Sequence, residues 1–208
     1  LGIKRASQWV KVLSGSLATR VKDSAGLSIL LDNLNNMKDI FAITKNSQWV
    51  KIANFGSFYV ALGDTPQKFK KSLEVFKAKF KLTTLAQWQK IVGDGFFSSV
   101  NANVDLLIAN LVAIAVQMLL SNVEDVITVG TNGSFFSAIT KNIEVFKGVL
   151  EFVKTSLHPK KKENWKTLMG DSFCSWTVKE GNQEYARSVI TLVKDCVGPD
   201  LAISLFGR

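Results

Sequence analysis

A short tryptophan-containing segment recurs along this chain at a nearly constant interval. The sequence SQWVK at residues 7–11 returns as SQWVK at residues 47–51 and as AQWQK at residues 86–90. Trp165 follows two intervals later, and the skipped position falls at Val126, where the tryptophan is missing. An interval of about 39 residues is typical of proteins built from stacked supersecondary units. The sequence therefore predicts about five units, at approximately residues 5–44, 45–83, 84–121, 122–160 and 161–208.

Apolar residues in the second half of most units recur at three- and four-residue spacing. This spacing places them on one face of an amphipathic helix. Polar or glycine-containing breaks, such as the one at residues 101–103, precede most of these helices, and Asp64 or Thr65 before Pro66 is a favourable helix start. Four apolar stripes are expected to face the core: Leu27/Leu31/Leu34/Ile40/Phe41, Phe69/Leu73/Phe76/Phe80, Ile143/Phe146/Leu150/Val153/Leu157 and Tyr185/Val189/Leu192/Cys196.

The first half of each unit also has helical spacing, and a glycine recurs in it. Because glycine inside a helix costs about 1 kcal/mol relative to alanine, its recurrence indicates either close approach of a neighbouring helix or a helix break. Close approach would be followed by an aromatic plug, a phenylalanine further along most units that fills the core. We therefore predict an all-α fold over residues 1–208, a single domain made of about five helical-hairpin repeats, compact or solenoid-like. The glycines are Gly15, Gly56, Gly95 and Gly133, and the phenylalanines are Phe58, Phe97, Phe136 and Phe173.

The third unit contains the most apolar stretch of the chain, residues 104–120, interrupted by Asp105, Asn110 and Gln117. Its length lies at the short limit for crossing a bilayer, which takes about 20 residues. We expect a central helix that is buried on all sides. A membrane-inserting hairpin and a helix that lines a ligand cavity or a subunit interface are the alternatives.

Few residues suit catalysis or metal binding. His158 is the one histidine, and it stands before Pro159 in a predicted loop. Activation of a nucleophile by histidine needs that histidine in a pocket, and one histidine with two cysteines does not match zinc-ligand spacing. Glu124 and Asp125 suit the start of a helix, where the dipole favours negative charge. The sequence predicts a protein that is not an enzyme, with no catalytic residue, no metal site and no certain cofactor.

The two cysteines, Cys174 and Cys196, lie in the last unit. On antiparallel helices that turn near Gly181, their axial offset is about 12 Å at 1.5 Å per residue. A disulfide joins Cα atoms no more than about 7 Å apart. Two buried free thiols are therefore expected, and a disulfide would require residues 170–175 to leave the helix.

The chain is rich in aromatic residues, with 14 Phe and 5 Trp. At helical spacing they form either a structural core or the lining of an apolar cavity. Pockets for such ligands are mostly apolar with few polar groups, so a bound lipid or a pigment such as a carotenoid is the ligand class that fits. The candidate ligand-binding residues are Trp49, Phe58, Trp88, Phe97, Leu107, Leu111, Ile114, Met118 and Phe136.

The chain is strongly basic, with a formal net charge of +9. Lysines are spread over nearly every unit, which indicates a solvated surface. A group of them crowds one predicted helix, and a basic amphipathic helix suits nucleic acid or an anionic membrane. Arginine, which is favoured in phosphate recognition, is scarce. The lysines of this helix are Lys68, Lys70, Lys71, Lys77, Lys79 and Lys81.

Two features favour secretion: the chain begins at Leu1 without methionine, and Asn132 opens a glycosylation sequon in a predicted loop. The leading hypothesis is a secreted helical repeat glycoprotein that binds a hydrophobic small molecule, or assembles into homo- or hetero-oligomers, as a storage, carrier or structural protein. The alternative is a basic protein that binds nucleic acid or acts on an anionic membrane, including by lysis.

Overall fold

The computed structural model describes residues 4–5, 7, 15–21, 23–129, 133–177, 179 and 181–207. Across these residues all regular secondary structure is helical, which confirms the predicted all-α class. A 3₁₀ helix spans Asn46–Lys51. The α-helices are α1 (Gly15–Arg20), α2 (Ser24–Asn35), α3 (Gly56–Asp64), α4 (Pro66–Phe80), α5 (Leu85–Ile91), α6 (Asp94–Gln117), α7 (Val123–Val129), α8 (Gly133–Lys141), α9 (Ile143–Leu157), α10 (Lys162–Leu168), α11 (Asp171–Thr177), α12 (Gln183–Val197) and α13 (Pro199–Phe206).

From residue 46 onward the helices follow a recurring order. The 3₁₀ helix, α3 and α4 form a short, short, long series, and α7, α8 and α9 repeat that order, as do α10, α11 and α12. In each of these three series two short helices precede the long one. The sequence predicted a single helix in that place, as one arm of a helical hairpin. Gly56 and Gly133 each begin the second short helix. Of the two roles considered for the recurring glycine, the helix break is the one observed at these positions.

Helix α6 contains a kink at Asn103, where the backbone leaves the helical conformation (φ −159°, ψ 98°). The kink lies within the polar break predicted at residues 101–103. It separates a shorter segment, residues 94–102, from a longer one, residues 104–117. The longer segment is about 21 Å long at 1.5 Å per residue.

The chain divides into two units, residues 1–104 and 105–208, and each is described by itself. In the first unit, α1 packs against α2 and α3, and α3 packs against α2 and α4. In the second unit, α7 packs against α10, α8 against α11 and α9 against α12. The C-terminal α13 lies against α9, α10 and α12.

Aromatic rings fill the core of the first unit. The Phe41 ring meets Trp88 edge-on with centroids 4.9 Å apart, and the Phe58 ring lies 5.0 Å from that of Phe97. Trp49 contacts Phe41 and Phe58 at centroid distances of 6.1 and 6.3 Å. Such pairs contribute about 0.5–1.5 kcal/mol each beyond the burial of their surface. The recurring aromatic residues therefore pack mainly against one another.

Two of the four predicted apolar stripes face the core. The α4 stripe is buried along its whole length, at Phe69, Leu73, Phe76 and Phe80. The α9 stripe is buried at Phe146, Leu150, Val153 and Leu157, with Ile143 half-buried at its start.

The stripe predicted on α12 is wrong. Tyr185 and Leu192 are 61% and 63% exposed, and the helix buries Ala186 and Ile190 in their place. This helix has two apolar faces, and the face with the smaller residues is the one that is buried. Helical periodicity is the same for both faces, so the choice between them depends on packing with neighbouring helices.

Helix α2 differs from its predicted stripe in a similar way. Leu30 and Leu34 are buried, whereas Leu27 and Leu31 are exposed. The helix ends at Asn35, so the remaining predicted members, Ile40 and Phe41, are buried from the turns that follow and not from the helix.

Both described cysteines are free thiols, as predicted. Cys174 is buried, whereas Cys196 is exposed. The expected burial of Cys196 is wrong because this residue lies on the exposed face of α12.

Candidate functional surfaces

The nine residues predicted to bind a hydrophobic ligand all lie in the helical cores. Each is at most 2% exposed; they are Trp49, Phe58, Trp88, Phe97, Leu107, Leu111, Ile114, Met118 and Phe136. Neighbouring rings pack against the aromatic residues of this set. The centroids of the Phe69 and Phe97 rings, for example, are 5.8 Å apart. Four described depressions, of about 300 to 530 Å³, lie elsewhere and are lined by other side chains. The structure therefore places the nine residues in positions where they pack the core.

The recurring tryptophans contribute apolar surface. Trp49, Trp88 and Trp165 are fully buried, and Trp9 lies outside the described residues. The indole N–H groups of Trp88 and Trp165 have no hydrogen-bond partner among the described residues, and neither has the hydroxyl of Tyr59. Burial also raises the pKa of Tyr59. These side chains are held by packing and not by polar contacts seen in the described part of the chain.

The glutamines before Trp49 and Trp88 have a separate structural role. The Gln48 side-chain oxygen accepts hydrogen bonds from the backbone N–H groups of Thr44 and Lys45, each at 2.8 Å. The Gln87 oxygen accepts from the N–H groups of Thr83 and Thr84 at 2.9 and 3.0 Å. These bonds satisfy donors at a helix start that have no partner within the helix. Gln48 and Gln87 thus fix the turns that precede Trp49 and Trp88, a role that the sequence motif alone did not predict.

Asp125 occupies the corresponding position at the start of α7, and it adds an ion pair. Its carboxylate accepts a hydrogen bond from the Ser121 backbone N–H and another from the Lys162 ammonium at 2.9 Å. The aspartate is 4% exposed. The hydrogen bond from Lys162 lowers the pKa of Asp125, and the same contact raises the pKa of Lys162. The prediction that Glu124 and Asp125 begin a helix is confirmed, since both lie in the first turn of α7.

Left-handed backbone conformations recur at residues that are not glycine. Ala42, Lys81, Leu119 and His158 have φ values of 52°, 51°, 61° and 48°. In the first three cases the next residue donates its N–H to the carbonyl five positions back, at 2.9, 3.0 and 2.7 Å. This bond defines the Schellman motif that closes a helix. Gly198 at the end of α12 also has a positive φ, 81°, but its N–H bonds to the Lys194 carbonyl and the next residue is Pro199, which has no N–H to donate.

His158 lies in an exposed loop, as predicted. It borders a depression of about 300 Å³ that Leu119, Lys154, Lys160 and Trp165 also line. Within the described residues, no group of three His, Cys, Asp or Glu side chains is placed to hold a metal ion. Predicted site residues do not converge on this depression, and its rim is basic.

The apolar segment of α6 is not buried on all sides, so that prediction is wrong. Leu107, Leu111, Ile114 and Met118 face the core, and the buried Asn110 donates its side-chain N–H to the Ile139 carbonyl at 2.7 Å. The opposite side is exposed and apolar. We call it the α6 face; it consists of Leu106, Ala109, Val112, Ala113 and Val116, with Leu119 in the turn that follows.

Exposure along the α6 face is substantial. Leu106, Val112, Val116 and Leu119 are 45%, 43%, 73% and 57% exposed. Among the described helices, α6 is the one that is long and apolar enough to be a candidate for crossing a membrane. Its straight part after the kink is about 21 Å long, and the hydrocarbon core of a bilayer is roughly 30 Å thick. The straight part of α6 is therefore shorter than the hydrocarbon core of a bilayer.

The lysines of α4 lie on its outer side. Phe69, Phe76 and Phe80 point into the core, so the aromatic residues of this helix are not available at the surface. Two of the lysines contact backbone carbonyls: Lys77 donates to Asp39 at 2.6 Å and Lys68 to Ala102 at 3.4 Å. The helix therefore presents positive charge without exposed aromatic rings.

Comparison with known protein families, with curated proteins and with solved structures yields no match. Functional conclusions about this chain consequently depend on its own geometry. Asn132, the predicted glycosylation site, lies outside the described residues.

Proposed function

We propose that this protein is a non-enzymatic helical repeat protein that works by assembling through its surface, as a structural, storage or carrier component. The observation that carries the proposal is the contrast between a filled aromatic core and an exposed apolar face on α6. Apolar surface in contact with water favours association. Secretion and glycosylation at Asn132 remain predictions that accompany this proposal.

The repeat proposed here has about 39 residues and three helices, with five copies in the chain. The positive-φ residues Ala42, Lys81, Leu119, His158 and Gly198 support it, because each lies 38 to 40 residues after the one before. Stacking supports it as well. In the second unit, α7, α8 and α9 each pack against the helix that follows by one interval, α10, α11 and α12 respectively. Stacking of equivalent helices is how repeat proteins bury their apolar faces.

Sedimentation velocity over a range of protein concentrations tests assembly directly. The proposal predicts a concentration-dependent increase in the sedimentation coefficient, from monomer to dimer or larger species. A single monomeric species up to about 100 µM, a concentration that would reveal association weaker than most specific complexes, would contradict it.

Binding of a lipid or carotenoid remains a separate prediction. Such a ligand would have to enter between buried side chains that already contact one another, such as Phe58 and Phe97. The basic surface of α4 favours one further candidate function, binding to an anionic membrane or a nucleic acid. Binding to anionic vesicles or to RNA that weakens as salt is raised would support this candidate, and lack of any salt-sensitive binding would remove it.

A further inference from the structure

We propose that two copies of this chain pair through the α6 face, with the two helices antiparallel about a two-fold axis between Val112 and Ala113. This inference rests on the proposed function, since it names the surface and the partner of the assembly. Four observations support it: the order of side chains along the face, the charges at its ends, its area and the contrast with α12.

The order of side chains along the α6 face is self-complementary. Read from either end, the face runs from a leucine through small and branched residues to another leucine. Antiparallel pairing places Leu106 opposite Leu119 of the second copy, Ala109 opposite Val116, and Val112 opposite Ala113. Large residues therefore meet at the two ends, and each inner contact joins an alanine to a valine. Alanines at the centre allow two helices to approach to about 8 Å, the short end of the usual range.

Charges at the two ends of the face are also complementary. No charged residue lies between Leu106 and Leu119, and Asp105 is exposed immediately before the face. The other end is basic, because Lys160 and Lys154, which pairs with Glu151 at 4.0 Å, line the depression beside Leu119. Antiparallel pairing brings Asp105 of each copy to the basic end of the other. Parallel pairing would instead place like charges together, so the charges select the antiparallel arrangement.

The area of the face suits a modest dimer. The exposed parts of the side chains on the α6 face amount to roughly 400 to 500 Å² per copy. A symmetric pair therefore buries about 800 to 1,000 Å² of accessible surface in total. A specific interface buries about 1,200 to 2,000 Å². The flanking Asp105, Lys154 and Lys160 side chains extend the contact toward that range. The depression beside Leu119, of about 300 Å³, provides space for Leu106 of the second copy.

The exposed face of α12 is the competing surface, but its composition is different. Tyr185 and Leu192 are separated there by polar residues, and the charged Glu184 and Asp195 lie among the exposed residues of the same helix. Glu184 pairs with Arg187 and Asp195 with Lys194, each at 3.3 Å. Taking these ion pairs out of water has a desolvation cost, which opposes association. This helix therefore offers a matched control for α6.

Two substitutions distinguish the α6 face from the exposed face of α12 as the dimer interface. Val116→Glu puts a charge within the α6 face, opposite Ala109 of the second copy, and Leu192→Glu puts the same charge on α12 at similar exposure. We expect Val116→Glu to raise the dimer dissociation constant at least about 100-fold, since it places two unpaired carboxylates in the interface, and Leu192→Glu to leave the constant within about threefold of wild type. Circular dichroism melting curves establish that both variants are folded.

Disulfide cross-linking tests the arrangement of the two copies. On a Cys196→Ser background, the pair Ala109→Cys and Val116→Cys should form a covalent dimer under mild oxidation, because antiparallel pairing places these residues opposite each other. Val116→Cys alone should not, since the two copies of residue 116 are about 10 Å apart along the helices, beyond the reach of a disulfide.

The outcomes separate this inference from the proposed function. A dimer that Leu192→Glu disrupts and Val116→Glu does not would overturn the α6 interface while leaving assembly intact. Cross-linking of Val116→Cys alone would overturn the antiparallel arrangement. A protein that stays monomeric but loses binding to phosphatidylcholine vesicles in Val116→Glu would overturn both proposals and assign the face to a membrane.

Discussion

At the residue scale, helix ends carry a conformational cost that glycine would remove. Lys81 follows the end of α4 with φ 51°, a conformation that costs residues other than glycine about 1–2 kcal/mol. Glycine at this site would remove that conformational cost, but it would add a chain-entropy cost of about 0.4–1 kcal/mol because the unfolded chain becomes more flexible. We expect Lys81→Gly to leave the free energy of unfolding unchanged or raise it by up to about 1 kcal/mol.

The control for this substitution is Lys71→Gly, because Lys71 is exposed in the middle of the same helix. It should lower the free energy of unfolding by about 1 kcal/mol. Urea denaturation measures both values. Equal losses in the two variants would mean that the chain does not adopt the left-handed conformation at residue 81.

Asp125 gives the second prediction at this scale. Its pKa is lowered from the usual 3.8, so its ionised form stabilises the folded state at any pH above that value, and the contribution is lost as pH falls through the lowered pKa. Asp125→Asn should therefore reduce the free energy of unfolding by about 1–3 kcal/mol at pH 7, as expected for a buried hydrogen bond to a charged group. Urea denaturation at pH 7 and pH 3 should show a smaller difference between variant and wild type at pH 3. A difference that does not change with pH would contradict the role given to the ionised carboxylate.

At the element scale, the side chains of Thr84 and Gln87 form a capping box at the start of α5. Gln87 accepts two backbone N–H groups in the turn before the helix, so Gln87→Ala should lower the free energy of unfolding by about 1 kcal/mol. Gln67→Ala is the control, since Gln67 is exposed on α4; it should be neutral within about 0.5 kcal/mol. Thermal unfolding followed by circular dichroism compares the two, and an equal effect would remove the capping role.

Element positions were predicted better than element orientation. The three- and four-residue spacing of Phe69, Leu73 and Phe76 identifies both the helix and its buried face, because lysines occupy most of the opposite side. On α12 and α6 the spacing identifies a helix but not its orientation. Tyr185 and Leu192 form as good a stripe as Ala186 and Ile190, and the selection between them depends on neighbouring helices.

Some features leave no signal in residue spacing or composition. The left-handed residues Lys81 and Leu119 are not glycine, and only the apolar residue that follows each of them hints at a Schellman motif. A helix break, as observed at Gly56, was one of the two structural roles predicted for the recurring glycine. The nine predicted ligand-binding residues were chosen for aromatic and apolar character, which a filled core and a cavity share, and the structure buries all nine.

At the scale of the whole molecule, the central claim is that the protein functions through its surface in an assembly, with a core filled by its own side chains. Native mass spectrometry of the protein purified from its source tests both parts in one spectrum. The account predicts a species at twice the mass of the chain, with no additional mass from a lipid or pigment. A monomer that carries a small-molecule adduct would contradict it.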